Sequence, residues 1–164
     1  MDEMSEVSVE EFDYRDSDFL ELIYPPAKEE EIRKLLGCFE LEVNYGEEFS
    51  DDIAIKVKNP YGGSDLTVWL EDQFAIGFKV FSGRFDANEE GYVEFLSVLF
   101  ALLTNRVGAL LVVKEPQSFV ELWKGDMPTK AEQIGIKELP AEGAFLSLQY
   151  FDPRFDQLSK HLME

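Results

Sequence analysis

The sequence predicts an α+β protein built on an antiparallel sheet of about five to six strands, with a buried central helix and flanking helices. Between residues 39 and 81, short stretches of alternating apolar and polar residues are separated by turn-forming residues such as glycine, proline and asparagine. Between residues 86 and 106, apolar residues surround most of a helical axis, which is typical of a buried helix. Hydrophobic residues make up 45% of the 164 residues, so one domain can form a core without a disulfide or a metal.

The first elements follow an acidic arm. Residues 1–22 carry nine acidic residues and one arginine, interleaved with aromatic residues, and we expect residues 23–164 to form the domain. A helix is predicted over residues 27–36, because glutamates fill its first turns and basic residues its last, as the helix dipole favours. Alternation then predicts strands over 39–45, 53–58, 66–70 and 74–81, with Ser82 and Gly83 ending or bending the last one.

The second half of the chain mixes helices and strands. The central helix is predicted over 86–106, with Asp86 and Glu89 spaced like a capping box. A closing helix is predicted over 153–162, with Asp152 as its N-cap and Pro153 at its first position. The elements expected between them are a buried strand over 108–113, a short helix over 116–124, a loop with a short helix around 130–133, and a strand over 144–151.

The formal net charge of −19 limits the classes of partner. Such a charge repels nucleic acids and anionic membranes, and it attracts basic proteins over long range. The longest apolar run, residues 95–103, is far shorter than the ~20 residues that span a bilayer. The acidic N-terminus has no pattern of a secretion signal or transit peptide, and a single cysteine cannot form an internal disulfide. We therefore expect a cytoplasmic protein with a basic protein partner, and no direct contact with nucleic acid or membrane.

No pattern in the sequence indicates a catalytic, cofactor or metal site. His161 is the single histidine and lies at the end of the predicted closing helix, away from any nucleophile. Cys38 follows the predicted end of a helix, where the dipole disfavours a reactive thiolate. Residues 86–91 match the first half of a calcium loop, but Ser97 occupies the position that requires glutamate, and helix capping explains the acids.

The candidate partner-binding residues are carboxylates in the arm and in two predicted turns. A surface that combines carboxylates with exposed aromatic side chains is suited to binding a basic protein. The candidates are Asp13, Asp16 and Asp18 in the arm, Glu47, Glu48, Asp51 and Asp52 in the turn after the first strand, and Glu71 and Asp72 in the turn after the third strand.

Residues 65–78 (DLTVWLEDQFAIGF), running on to Phe85 and Asp86, resemble a segment of small bacterial proteins in which a strand ending in Val-Trp-Leu precedes an acidic turn and an aromatic strand. Some of those proteins are similar to immunity proteins of polymorphic toxin and contact-dependent inhibition systems. Many carry histidines near the positions of Ser82 and Arg84, so no metal or catalytic role is transferred to this chain. The resemblance implies a protein that binds a toxin and covers its active surface.

Three functional classes remain open. The first is an acidic interaction protein, in particular an immunity or inhibitor protein that neutralises a basic toxin. The second is a small cytoplasmic adaptor or regulatory domain whose charge serves solubility. The third is a small-molecule-binding domain or an enzyme with a carboxylate site that the sequence does not reveal. Because no nucleophile is paired with a base, an enzyme is the least expected of the three.

Overall fold

The structure, a computed structural model, describes residues 22–128 and 144–161. Within these ranges the chain forms nine strands in two antiparallel sheets, together with two α-helices and two short 3-10 turns. The α+β class predicted from the sequence is confirmed. The strands divide between two sheets, however, whereas the sequence predicted a single sheet.

The first sheet is a meander in which each strand pairs with the next one along the chain. Its core face carries the buried apolar side chains, and its outer face carries polar or small ones apart from Trp69, as the alternation predicts. The strands are β1 (Leu41–Tyr45), β2 (Ile53–Val57), β3 (Leu66–Leu70), β4 (Phe74–Phe78) and β5 (Phe81–Phe85).

Two α-helices accompany this sheet. Helix α1 (Glu29–Leu35) follows a 3-10 turn at Pro25–Lys28, and helix α2 (Glu89–Leu103) packs against β4 and β5. The sequence placed α2 correctly but assigned its cap to Asp86, whereas the side chain of Asn88 accepts the capping hydrogen bond from the Gly91 N–H at 2.7 Å. Residue 91 is glycine because a Cβ there would collide with the Asp86 carbonyl.

The second sheet has the order β7-β6-β8-β9, and its strands are β6 (Gly108–Lys114), β7 (Gln117–Trp123), β8 (Phe145–Gln149) and β9 (Gln157–His161). Ala109, Val120 and Leu122 from β6 and β7 join the core formed by α2 and the first sheet. Other residues of this sheet, including Leu110 and Leu148, belong to a separate apolar cluster. No helix in the described ranges is long and apolar enough to cross a membrane.

The prediction of one strand over residues 74–81 is wrong at its C-terminal end, because residue 81 already belongs to the next strand. Phe78 pairs directly with Phe81, so the chain reverses at Lys79 and Val80. Lys79 has a positive φ of 54°, which glycine or asparagine adopts more readily than lysine. Ser82 and Gly83, expected to end or bend the strand, lie within β5.

The helix predicted over 116–124 is also wrong, since residues 117–123 form β7 and pair with β6 along their whole length. The apolar residues of this segment alternate between the faces of the sheet. Val120 and Leu122 pack against the first core cluster, and Phe119 and Trp123 pack against the second. Pairing with β6 therefore partly buries both sets, which a helix could not do in the same place.

The closing helix predicted over 153–162 does not form. Asp152 does cap a helical start, because its carboxylate accepts a hydrogen bond from the Arg154 N–H. The helical turn ends at Phe155, and residues 157–161 extend the second sheet as β9. The short helix predicted around 130–133 lies outside the described residues, and of the expected flanking helices only α1 is present in the described ranges.

Candidate protein-binding surface

The turns after β1 and β3 leave the first sheet at the same end. The last rung between β2 and β3 pairs Ile53 with Leu70, and the next residues beyond this rung are Asp52 and Glu71. The acidic turn between β1 and β2 therefore lies beside the acidic turn between β3 and β4. Six of the predicted partner-binding residues share this end of the sheet: Glu47, Glu48, Asp51, Asp52, Glu71 and Asp72.

The remaining predicted partner-binding residues, Asp13, Asp16 and Asp18, lie outside the described residues. The described chain begins at Leu22, which forms an isolated bridge with Asn88, just before α2. The Ile23 N–H donates to the Ala87 carbonyl at 2.8 Å. The segment that leads into α1 thus runs across the acidic end of the sheet.

Two tyrosines are held at this end by carboxylates. The Tyr24 hydroxyl donates a hydrogen bond to Asp51, and the Tyr45 hydroxyl donates to Glu29 at 2.7 Å. Each hydrogen bond is the main cause that raises the pKa of its phenol above the usual 10.0, because it stabilises the protonated form beside a negative charge. Each bond also fixes the direction of an exposed aromatic ring.

Large apolar side chains are exposed beside the acids. Phe49, at the tip of the turn between β1 and β2, is 98% exposed and has a positive φ of 73°. Leu22 is 61% exposed, Tyr45 63% and Tyr24 54%. Exposed apolar side chains grouped together and surrounded by polar residues are typical of interaction sites. We call these four residues and the six acids the turn-end surface.

Two open cavities flank Tyr24 on this surface. The larger one, about 470 Å³, is predominantly apolar and is called the Ala87 groove after one of its lining residues. The smaller one, about 360 Å³, lies between the tyrosines and the turn after β1. The Ala87 groove is lined by Leu22, Ile23, Tyr24, Pro25, Ala87, Glu71 and Asp72. The smaller cavity is lined by Tyr24, Pro26, Ala27, Tyr45, Ser50, Asp51, Asp52 and Ile53.

The charges of this surface are not neutralised within the described part of the chain. None of the six acids there forms an ion pair with a described lysine or arginine. Nearby cations pair with other acids: Arg33 lies 3.2 Å from Glu29, and Lys28 lies 3.5 Å from Glu31. The six carboxylates therefore repel one another and remain available to a cationic partner.

Residues that commonly bind metals or act as nucleophiles lie apart in the described ranges. Across residues 22–128 and 144–161, no group of three histidine, cysteine, aspartate or glutamate residues could hold a metal ion. Cys38 is exposed, and His161 ends strand β9, whereas the sequence placed it in a helix. The turn-end surface itself presents carboxylates and exposed apolar side chains.

The outer face of the first sheet carries a third, smaller cavity. The Trp69 ring lies over Gly77, where a Cβ would come within 2.6 Å of the indole. A space of about 210 Å³ lies beside this ring, bounded also by Glu71, Ala75, Ser82 and Arg84. Ser82 and Arg84 are exposed on this face.

The apolar half of the turn-end surface was not among the residues singled out from the sequence. Phe49 offered a signal, because a phenylalanine amid Glu47, Glu48 and Ser50 in a turn has no strand or helix to bury it. The sequence gives no signal that Leu22 and Tyr24 are exposed, because their exposure depends on where the chain crosses the end of the sheet. Comparison with protein-family models, curated proteins and solved structures gives no significant match, so function is inferred from the geometry of this surface.

Proposed function

We propose that this protein is an acidic interaction protein that binds a basic protein through its turn-end surface. The observation that carries the proposal is the placement of six carboxylates, which have no ion pair within the described part of the chain, and four exposed apolar side chains at one end of the first sheet. Charge accelerates the encounter with a cationic partner, and the apolar side chains slow the dissociation of the complex.

The partner that fits best is a basic toxin, and the protein would then be its immunity or inhibitor protein. A nuclease carries positive charge because it must hold phosphate, so an acidic surface competes for the same site. The resemblance of residues 65–78 to immunity-type proteins supports this version, and those residues include Glu71 and Asp72 of the turn-end surface. Blocking an active site requires no catalytic residue in the inhibitor. A cytoplasmic location, with Cys38 as an exposed free thiol, suits such a role.

The experiment is affinity capture from a lysate of the source cells at low salt, followed by elution with a rising salt gradient. The interface variant combines Asp51→Asn, Asp52→Asn, Glu71→Gln and Asp72→Asn. A matched control variant removes four exposed charges elsewhere: Glu40→Gln, Glu94→Gln, Glu115→Gln and Asp126→Asn. We expect the wild-type protein and the control variant to capture one and the same basic protein, and the interface variant to fail to capture it.

Both parts of the proposal can fail separately. Equal retention by the interface variant would contradict the assignment of the surface, and the absence of any retained basic protein would contradict the function. The toxin version is tested by expressing the captured protein in a host cell with and without this chain. It requires growth arrest by the partner alone and rescue by the wild-type protein but not by the interface variant.

A further inference from the structure

The Ala87 groove combines an apolar lining with an acidic rim. Exposed Leu22 and half-buried Ile23 and Ala87 contribute apolar surface, and Glu71 and Asp72 stand at the side of the groove. Its volume of about 470 Å³ is within the range of pockets that enclose a ligand or a large side chain. An occupant therefore needs an apolar part and a positively charged end.

The walls of the groove are fixed before any partner arrives. The Ile23 N–H is bonded to the Ala87 carbonyl, and the Tyr24 hydroxyl is bonded to Asp51. On the acidic side, the Glu71 N–H donates to the Gln73 carbonyl at 3.2 Å and closes the turn. A groove that is already formed loses little conformational entropy on binding, which favours recognition of one well-defined group.

We infer that the Ala87 groove receives the side chain of an arginine from the basic partner. The aliphatic stem would cover Leu22 and Ala87, and the guanidinium would pair with Glu71 or Asp72 at the rim. Arginine suits this better than lysine, because its planar head stacks on an aromatic ring such as Tyr24 and bonds a carboxylate through two N–H groups. An anionic side chain would be repelled, and a neutral one would leave both acids unpaired.

The inference rests on the proposed function, but it can be tested without the partner. The ¹⁵N-labelled protein is titrated with n-butylguanidinium, which is the arginine side chain lengthened by one carbon, and separately with guanidinium and n-butylammonium. Backbone amide signals of Ile23, Asp72 and Ala87 report on the groove. Burial of two methylene groups corresponds to about a tenfold gain in affinity, so we expect n-butylguanidinium to saturate these signals at about one tenth of the concentration of guanidinium. n-Butylammonium should bind more weakly than n-butylguanidinium.

Variants separate the two parts of the groove. Leu22→Ser removes exposed apolar surface and should erase the advantage of n-butylguanidinium over guanidinium. Glu71→Gln with Asp72→Asn should weaken both guanidinium compounds, whereas Glu115→Gln with Asp126→Asn should weaken neither. The inference would be overturned if n-butylguanidinium and guanidinium had equal titration midpoints on the wild-type protein. It would also be overturned if the largest chemical-shift changes occurred at Trp69 and Arg84.

The outcomes distinguish the groove from the function. If the compounds fail to bind while the interface variant still loses the captured basic protein, the groove assignment is wrong and the proposed function stands. If n-butylguanidinium binds as expected but no basic protein is captured, the groove recognises an arginine-like group and the proposed function is wrong.

Discussion

The hydroxyl of Tyr24 donates a hydrogen bond to the carboxylate of Asp51, and this bond joins the segment leading into α1 to the turn between β1 and β2. The two residues are 27 positions apart in the sequence, so the bond fixes one part of the turn-end surface relative to another. The bond is also the largest cause of the raised pKa of Tyr24. Titration of this phenol therefore reports on the geometry of the surface.

Replacement of Asp51 should lower the pKa of Tyr24 toward the ordinary value of 10.0. The Asp51→Ala variant removes both the acceptor and the charge that favour the protonated phenol. The measurement is an NMR titration of ¹³Cζ-labelled tyrosine between pH 8 and the onset of alkaline unfolding. In the wild-type protein, the stabilisation from this bond is complete below the unfolded-state pKa and is lost as pH rises through the native pKa.

The matched control for this titration is Glu29→Ala, which removes the acceptor of Tyr45. It should lower the pKa of Tyr45 and leave that of Tyr24 unchanged. A Tyr24 pKa that does not respond to Asp51→Ala would show that the bond is absent in solution.

Substitution of Gly77 should destabilise the protein through Trp69. A Cβ at position 77 would lie 2.6 and 2.7 Å from two atoms of the indole ring, so Gly77→Ala forces the ring off β4. Overpacking of this kind costs about 1–3 kcal/mol, which urea denaturation measures. The Trp69→Leu background supplies the control, because removal of the ring removes the clash. There, Gly77→Ala should be neutral or stabilising, since alanine loses less conformational freedom in a strand than glycine. Equal costs in both backgrounds would contradict the contact.

Stability in acid should depend on Asp152. Its carboxylate is 1% exposed and accepts hydrogen bonds from the Arg154 side chain at 2.6 and 3.0 Å, which lower its pKa below the ordinary 3.8. A depressed native pKa contributes stability above the unfolded-state pKa, and that contribution is lost as pH falls through the native pKa. Asp152→Asn should therefore be less stable than wild type at pH 7.

The measurement for this prediction is the melting temperature of wild type and Asp152→Asn from pH 7 down to the acid limit of folding. The difference in melting temperature between the two proteins should be constant near neutral pH and should become smaller below about pH 4. Arg154→Met should show the same narrowing, because it removes the other member of the pair. A gap that is independent of pH would contradict the role of the ion pair.

The turn between β4 and β5 should become more stable when Lys79 is replaced by glycine. Lys79 adopts a φ of 54°, and a side chain in this region costs about 1–2 kcal/mol that glycine avoids. Glycine also loses more entropy on folding, so the expected net gain in unfolding free energy is up to about 1 kcal/mol. Chemical denaturation measures it. The control is Val80→Gly, which offers no such relief because Val80 does not have a positive φ, and it should be neutral or destabilising.

The first sheet was largely predictable because its signal is local. In β2 and β3, every second residue is buried and the residues between them are half-buried. The same two-residue alternation of apolar and more polar side chains is present in the sequence. The turn at Lys79 and Val80 was missed because it contains neither glycine nor asparagine, so nothing separates β4 from β5 in the sequence. Alternation predicts strands well only where the turns also carry a sequence signal.

The second sheet was less predictable because apolar side chains pack on both of its faces. Residues 117–123 have apolar side chains directed to two different clusters, so their sequence lacks a single apolar face and resembles a short buried helix. Residues 157–161 form a strand by pairing with β8, and no local pattern in the sequence predicts this pairing. The acids of the turn-end surface were predictable because turns expose charge, whereas the exposure of Leu22 follows from tertiary placement.

The pairing order of the first sheet also has a consequence for the order of folding. Each of its strands closes on its immediate neighbour across short connections, the longest of which covers residues 58–65. In contrast, β6 must pair with β8 across all the residues between Lys114 and Phe145. Because the entropy lost on closing a loop grows with its length, residues 41–85 should assemble first, and the second sheet should complete the molecule later. The six acids of the turn-end surface, all within residues 41–85, would then be in place before the second sheet is complete.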